Sequence, residues 1–203
     1  GAIRCHPYAF EEMSATWERD VKRFDRALFG HVGSIFTNIT RATLLGASCA
    51  RLATPPLPGP TATHFRQLTR MSAAFNVCAE ISMATLGGSL KFRERITGRL
   101  ADALSWMYLS SATLKQFIDD GQNERARAFM EWGCIHAHHE IQRALMELLD
   151  NLPASMLGKV MKMKLFPFWS RVLPPSDRLG SKLAKALLDD GEARRDLSTG
   201  IHI

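Results

Sequence analysis

The segment ATHFRQLTRMSAAFNVCAEISMATL, residues 62–86, decides the fold. Phe65, Leu68, Ser72, Phe75, Ala79, Ser82, Met83 and Leu86 recur at three-to-four spacing, which predicts an α-helix with one packed side. Gly87-Gly88 closes it, as glycine commonly does at a helix C-terminus. Many side chains on that side are small, so neighbouring helix axes can approach closely and the segment is expected at the centre of a bundle. Ahead of it, Thr54-Pro55-Pro56-Leu57-Pro58-Gly59-Pro60 cannot continue a helix, because each proline lacks an N–H and restricts the residue before it. This is an extended connector, and Thr61 or Thr63 can cap the helix that follows.

Working outward, the same periodicity predicts a helix over about Lys91 to Ile118, through Ile96, Leu100, Met107, Ser111 and Leu114. The short loop Asp119 to Asn123 favours an antiparallel neighbour, and a further helix runs from Glu124 to Asn151, ending before Pro153. Upstream, Phe10 to about Ala53 reads as helical with a joint at Gly30 to Gly33. Strand alternation is nowhere sustained. The expected architecture is all-α: a mostly antiparallel bundle over residues 1–153, with a basic amphipathic C-terminal appendage over 154–203 belonging to the same accessory domain.

A chain of 203 residues with 46% hydrophobic and 23% charged residues is long enough for one ordinary domain and is neither disordered nor fibrous in composition. Cys5, Cys49, Cys78 and Cys134 show no CxxC pair and no zinc spacing, so reduced thiols and a cytoplasmic location are expected. The most apolar region, Met71 to Leu90, carries Asn76 and Glu80, so no membrane span is predicted. The opening Gly1-Ala2-Ile3-Arg4 has no initiator Met and no leader pattern, which reads as a piece of a longer protein.

Titratable clusters are few. Cys134, His136, His138, His139 and Glu140 offer two pairs at four-residue spacing, Cys134/His138 and His136/Glu140. The pairs point in different directions on a helical wheel, so no metal site is assigned and the histidines read as surface or interface residues. Arg99 and Asp102 lie at i, i+3 and suit a salt-bridged helix face. Glu80 on an apolar helix needs a cation, and Arg99 or another arginine of the following helix is the expected partner. Gly87-Gly88 ends a helix instead of opening one, so its amides do not cradle a phosphate. No catalytic or cofactor-binding residue is assigned.

The net charge of +6 has a location. Between Ala154 and Lys185 lie Lys159, Lys162, Lys164, Arg171, Arg178, Lys182 and Lys185 against Asp177 alone, seven cations less one anion, which equals the excess of the whole chain. Met156, Leu157, Val160, Met161, Met163, Leu165, Phe166, Phe168 and Trp169 are interleaved with them, and Pro167 breaks the run. Lys159 and Lys162 fall opposite Leu157 and Met161, as in a helix lying in a lipid headgroup layer, while Lys164 falls on the apolar side and can snorkel. Lys159, Lys162, Lys164, Phe166, Phe168, Trp169 and Arg171 are therefore the membrane-contact candidates. The opposing reading is that the aromatics pack back onto the bundle and the lysines are solvated. Nucleic acid is a third use of such charge, though no helix-turn-helix, RNA-recognition or zinc module is visible.

The strings GAIRCHPY (1–8), LFGHVG (28–33), RMSA (70–73), LGGSLK (86–91), GRLAD (98–102), YLSSATLK (108–115), FP (166–167) and PSD (175–177), in that order, resemble the C-terminal region of bacterial-type, long-chain fatty-acid acyl-CoA dehydrogenases. The resemblance covers nearly the whole chain. It implies a parent FAD enzyme of β-oxidation that converts acyl-CoA to trans-2-enoyl-CoA and passes electrons to electron-transfer flavoprotein. In such enzymes the catalytic glutamate sits in a Glu-Gly motif ahead of the position matching Gly1, and the flavin and acyl-CoA pockets belong to earlier domains. The resemblance thus implies a non-catalytic accessory domain that binds no FAD alone. Its implied partners are the catalytic domains of the same polypeptide, a second copy in a homodimer, and an anionic membrane surface at which the cytoplasmic enzyme is held peripherally. The alternative is a free-standing basic helical module for nucleic acid or another anionic partner.

Overall fold

The computed structural model describes residues 8–188. Cys5, most of the first matching string and the tail after Asp190 lie outside the described residues. Seven α-helices and no strand occur among them: α1 (Ala9–Glu18), α2 (Val21–Ala47), α3 (Ala62–Leu86), α4 (Glu94–Asp119), α5 (Glu124–Asp150), α6 (Ser155–Leu165) and α7 (Asp177–Leu188), with 3₁₀ turns at Gly87–Phe92 and Phe168–Ser170. The all-α reading holds, and α3 coincides with the periodic segment that predicted it. Helices α4 and α5 make the most extensive pair, and α3 lies against α2, α4 and α5.

The joint expected at Gly30 to Gly33 is not there. α2 runs straight through both glycines, and the break falls at Arg19, whose left-handed backbone (φ 56°) caps α1 while the Asp20 carboxylate accepts from the Arg23 amide. A side-chain cap and a left-handed residue stop a helix more decisively than two glycines inside a strong periodic pattern. At the other end α2 stops at Ala47 and not near Ala53, because Cys49 and Ala50 adopt positive φ and the Ala50 amide returns to the Leu45 carbonyl.

One hydrophobic core takes Ala42 and Leu45 from α2, Met71, Val77 and Cys78 from α3, Ala103 and Met107 from α4, Ile141, Leu145 and Leu148 from α5, and Met161, Leu165 and Phe166 from the C-terminal region. A satellite cluster of Leu114, Phe117, Met130 and Cys134 closes the turn between α4 and α5. The segment expected to be an appendage is thus, over α6 and Phe166, part of the bundle's core. Pro167 ends that helix by restricting Phe166, but Phe166 had already reached the interior.

Candidate docking site at the C-terminal end

α6 is wedged between α5 and α2, and two glycines make this possible. At Gly158 any Cβ would collide with the Leu149 carbonyl of α5, and at Gly46 a Cβ would lie 2.7 Å from the Leu165 carbonyl oxygen. Leu157, Met161 and Leu165 consequently face inward, onto the core. The apolar side that the sequence reading turned toward lipid is the side that meets the bundle.

Arg70 of α3 fastens the chain beyond α6. Its guanidinium is buried and forms no ion pair among the described residues; it donates to the Ser170 carbonyl (2.6 Å), the Ser170 hydroxyl (3.0 Å) and the Leu165 carbonyl (3.3 Å), and lies 5.8 Å from the Phe166 ring centre. Burial lowers its pKa to about 10, which still leaves it charged at neutral pH. A buried carbonyl needs a donor, and Arg70 supplies one to each of these two. Sequence reasoning passed over Arg70, one of two arginines, with Arg66, in the α3 segment.

These anchors split the membrane-contact candidates. Phe166 is 0% exposed and is a core residue, which removes it from any docking surface, whereas Phe168, two positions on, is 78% exposed. Trp169 is 59% exposed, stands edge-to-face on Phe168 and ties its indole N–H to the Ala47 carbonyl (3.2 Å). Lys162 is held by Asp150 (2.6 Å), while exposed Arg171 reaches back to the Phe166 carbonyl (3.5 Å). Lys159 and Lys164 are exposed and form no ion pair among the described residues.

A second apolar stripe, unnoticed in the sequence, faces outward. Met156, Val160 and Met163 sit at i, i+4 and i+7 and are all exposed, with Lys159 on one flank and Lys164 on the other. Phe168, Trp169 and Leu173 extend the exposed apolar surface along the chain. Alternating apolar and basic groups of this kind suit the boundary between headgroups and acyl chains. No described helix is long and apolar enough to cross a membrane.

The titratable clusters resolve into structural contacts. His138 is buried with its Nε2 3.2 Å from the Ser110 hydroxyl, and burial lowers its pKa to about 3. Burial likewise raises the Cys134 thiol to about 11, so it stays protonated and is a poor nucleophile. His136 stacks on Trp132 and meets Trp106 edge-on, His139 bonds the Val172 carbonyl (3.0 Å), and Glu140 pairs with Arg143 (2.5 Å). Among the described residues no three metal-ligating side chains converge. Arg99 pairs with Glu147 (3.4 Å) and not with Asp102. Glu80 lies 3.5 Å from His31 of α2, whose other ring nitrogen meets Glu12 (2.8 Å), and among the described residues no α4 arginine pairs with it. The long α2 passing through Gly30 is what brings His31 beside α3.

No solved structure matches this chain. The family model described as acyl-CoA dehydrogenase, C-terminal, bacterial type, matches residues 3–203, and the chain belongs to that family.

Proposed function

We propose that this chain is the non-catalytic accessory region of an acyl-CoA dehydrogenase, bracing the enzyme's dimer and holding it reversibly against an anionic membrane surface. The family implies an oxidoreductase parent. The finer reading, oxidation of fatty acyl-CoA to the trans-2-enoyl-CoA with FAD and electron-transfer flavoprotein, rests on the resemblance and assigns that chemistry to other domains of the same polypeptide. Gly87 and Gly88 do not cradle a phosphate: they lead out of the C-terminal end of α3 into a 3₁₀ turn, where carbonyls and not free amides point outward. No step is assigned to the flavin within this chain.

The observation that supports the membrane reading is the outward stripe of Met156, Val160 and Met163, continued by Phe168, between two cations that form no ion pair among the described residues. Each cation near an anionic leaflet contributes at most about 1 kcal/mol, and each large apolar side chain fully buried about 1.5 to 3 kcal/mol. Together they give reversible, salt-sensitive attachment. The test is co-sedimentation with phosphatidylglycerol-containing vesicles: the chain should pellet at low salt, and the K159E/K164E variant should stay in solution. Equal pelleting of both would rule the contact out.

A further inference from the structure

Where the chain turns from α3 into α4, between Lys91 and Arg99, four cations stand against Glu94 alone. Three of them, Arg93, Arg95 and Arg99, line a cleft of about 370 Å³ that Asn151 and Pro153 complete from the junction of α5 and α6. Arg93 and Arg95 form no ion pair or side-chain hydrogen bond among the described residues. Arg99 gives only its Nε to Glu147 (3.4 Å), a carboxylate that Arg143 shares (3.2 Å), so both terminal nitrogens of its fork lack a hydrogen bond among the described residues. The start of α4 lies in the same wall, and there the Glu94 and Arg95 amides make no backbone hydrogen bond and no side chain caps them. Three guanidiniums around one cleft repel each other unless an anion answers them, and planar forks beside free amides match phosphate oxygens.

The rest of the lining narrows the ligand. Asn151 is the one neutral polar side chain there, and its Nδ2 is committed to the Glu147 carbonyl (2.7 Å), so a headgroup alcohol or a sugar would find few partners. Leu86, Phe92 and Ile96 offer apolar surface instead. We infer that this cleft binds a phosphate monoester carried on an apolar body, and that at the membrane the group it takes is the headgroup phosphate of a phosphomonoester lipid such as phosphatidic acid. Location favours the lipid source. Pro153 closely precedes Met156, where the exposed stripe of α6 begins, and Phe92 at the cleft's rim is 74% exposed, with the Lys91 ammonium 4.8 Å from its ring centre. The lipid source rests on the membrane reading of the proposed function; the phosphate site itself does not.

Flotation of the 203-residue chain with two vesicles matched in surface charge, one carrying phosphatidic acid and the other phosphatidylglycerol, tests the inference. The wild-type chain should favour the first about tenfold. R93Q/R95Q should lose that preference with its helicity intact, whereas K159E/K164E should bind both vesicles more weakly and keep it. Inorganic pyrophosphate at about 10 mM should raise the wild-type Tm by about 2 °C and leave that of R93Q/R95Q unchanged. Equal affinity for the two vesicles with no pyrophosphate shift would overturn the inference, while release of K159E/K164E in the same assay would leave the membrane reading standing. A pyrophosphate shift that R93Q/R95Q loses, without a preference between vesicles, would overturn the lipid source and assign the cleft to a soluble phosphate ester. A preference that survives in R93Q/R95Q would place the phosphate elsewhere and overturn the assignment. A wild-type chain that floats with neither vesicle would remove the membrane reading and the lipid source with it.

Discussion

The two ends of the molecule both expose apolar stripes at helical spacing, and they differ in two respects. The C-terminal stripe on α6 is flanked by cations and stands on a rigid base, nailed down by Arg70, Phe166 and the Gly158 contact. The N-terminal stripe on α2 is set among balanced charges, and the hairpin it shares with α1 is held by buried Ala15 and Ala27 and by the Arg23 pairs to Glu11 and Glu18. The two exposed stripes therefore differ in their surrounding charge, strongly positive around α6 and nearly balanced around the first half of α2, and charge of this kind governs which partners a surface attracts.

The sharpest way to break this contrast is to unseat the base of the C-terminal stripe. Phe166→Ala should lower the unfolding free energy by about 3 to 5 kcal/mol in urea titration, whereas Phe36→Ala at the other end should change it by less than about 0.5 kcal/mol. Next in size, M163A/F168A should reduce vesicle partitioning on the order of a hundredfold while leaving the dimer constant unchanged. An equal effect of that variant on both measurements would merge the two surfaces into one.

Acid tests the core that both ends share. His138 titrates near 6.5 in the unfolded chain and only at about 3 when folded, so between those values the unfolded state binds more protons and stability falls as pH drops. From pH 7 to pH 5 this amounts to about 2 kcal/mol, visible as a lower urea midpoint, and His138→Gln should flatten the dependence. The smallest effect separates vesicle binding from self-association by salt. Raising ionic strength from about 0.05 to 0.5 M shortens the screening length and should release the chain from vesicles, with self-association little altered.

Much of the architecture was legible in the residues. α3, α4 and α5 are long and strongly periodic, and their punctuation by Pro60, Gly87, Gly121 and Pro153 is unambiguous, so their positions followed within a few residues. The α1–α2 break was misplaced because Arg19 adopts a left-handed conformation that its side chain does not announce, while Gly30, which seemed to mark a joint, makes room for the Tyr8 ring inside a continuous helix. The candidate site was half legible. Its charge and aromatic content stand in the sequence, but both sides of α6 are apolar, and a wheel cannot tell which side has a neighbour.

The sequence by itself therefore determined that the chain is helical, where its main helices lie, where its positive charge gathers and which family it resembles, because these depend on local spacing and composition. Only the tertiary structure decided that Phe166 is core while Phe168 is surface, that Arg70 is the anchor of the C-terminal segment, and that Glu80 meets His31. Those outcomes depend on which helices come into contact across a hundred residues of chain, and burial is a property of the assembled packing that no single segment encodes.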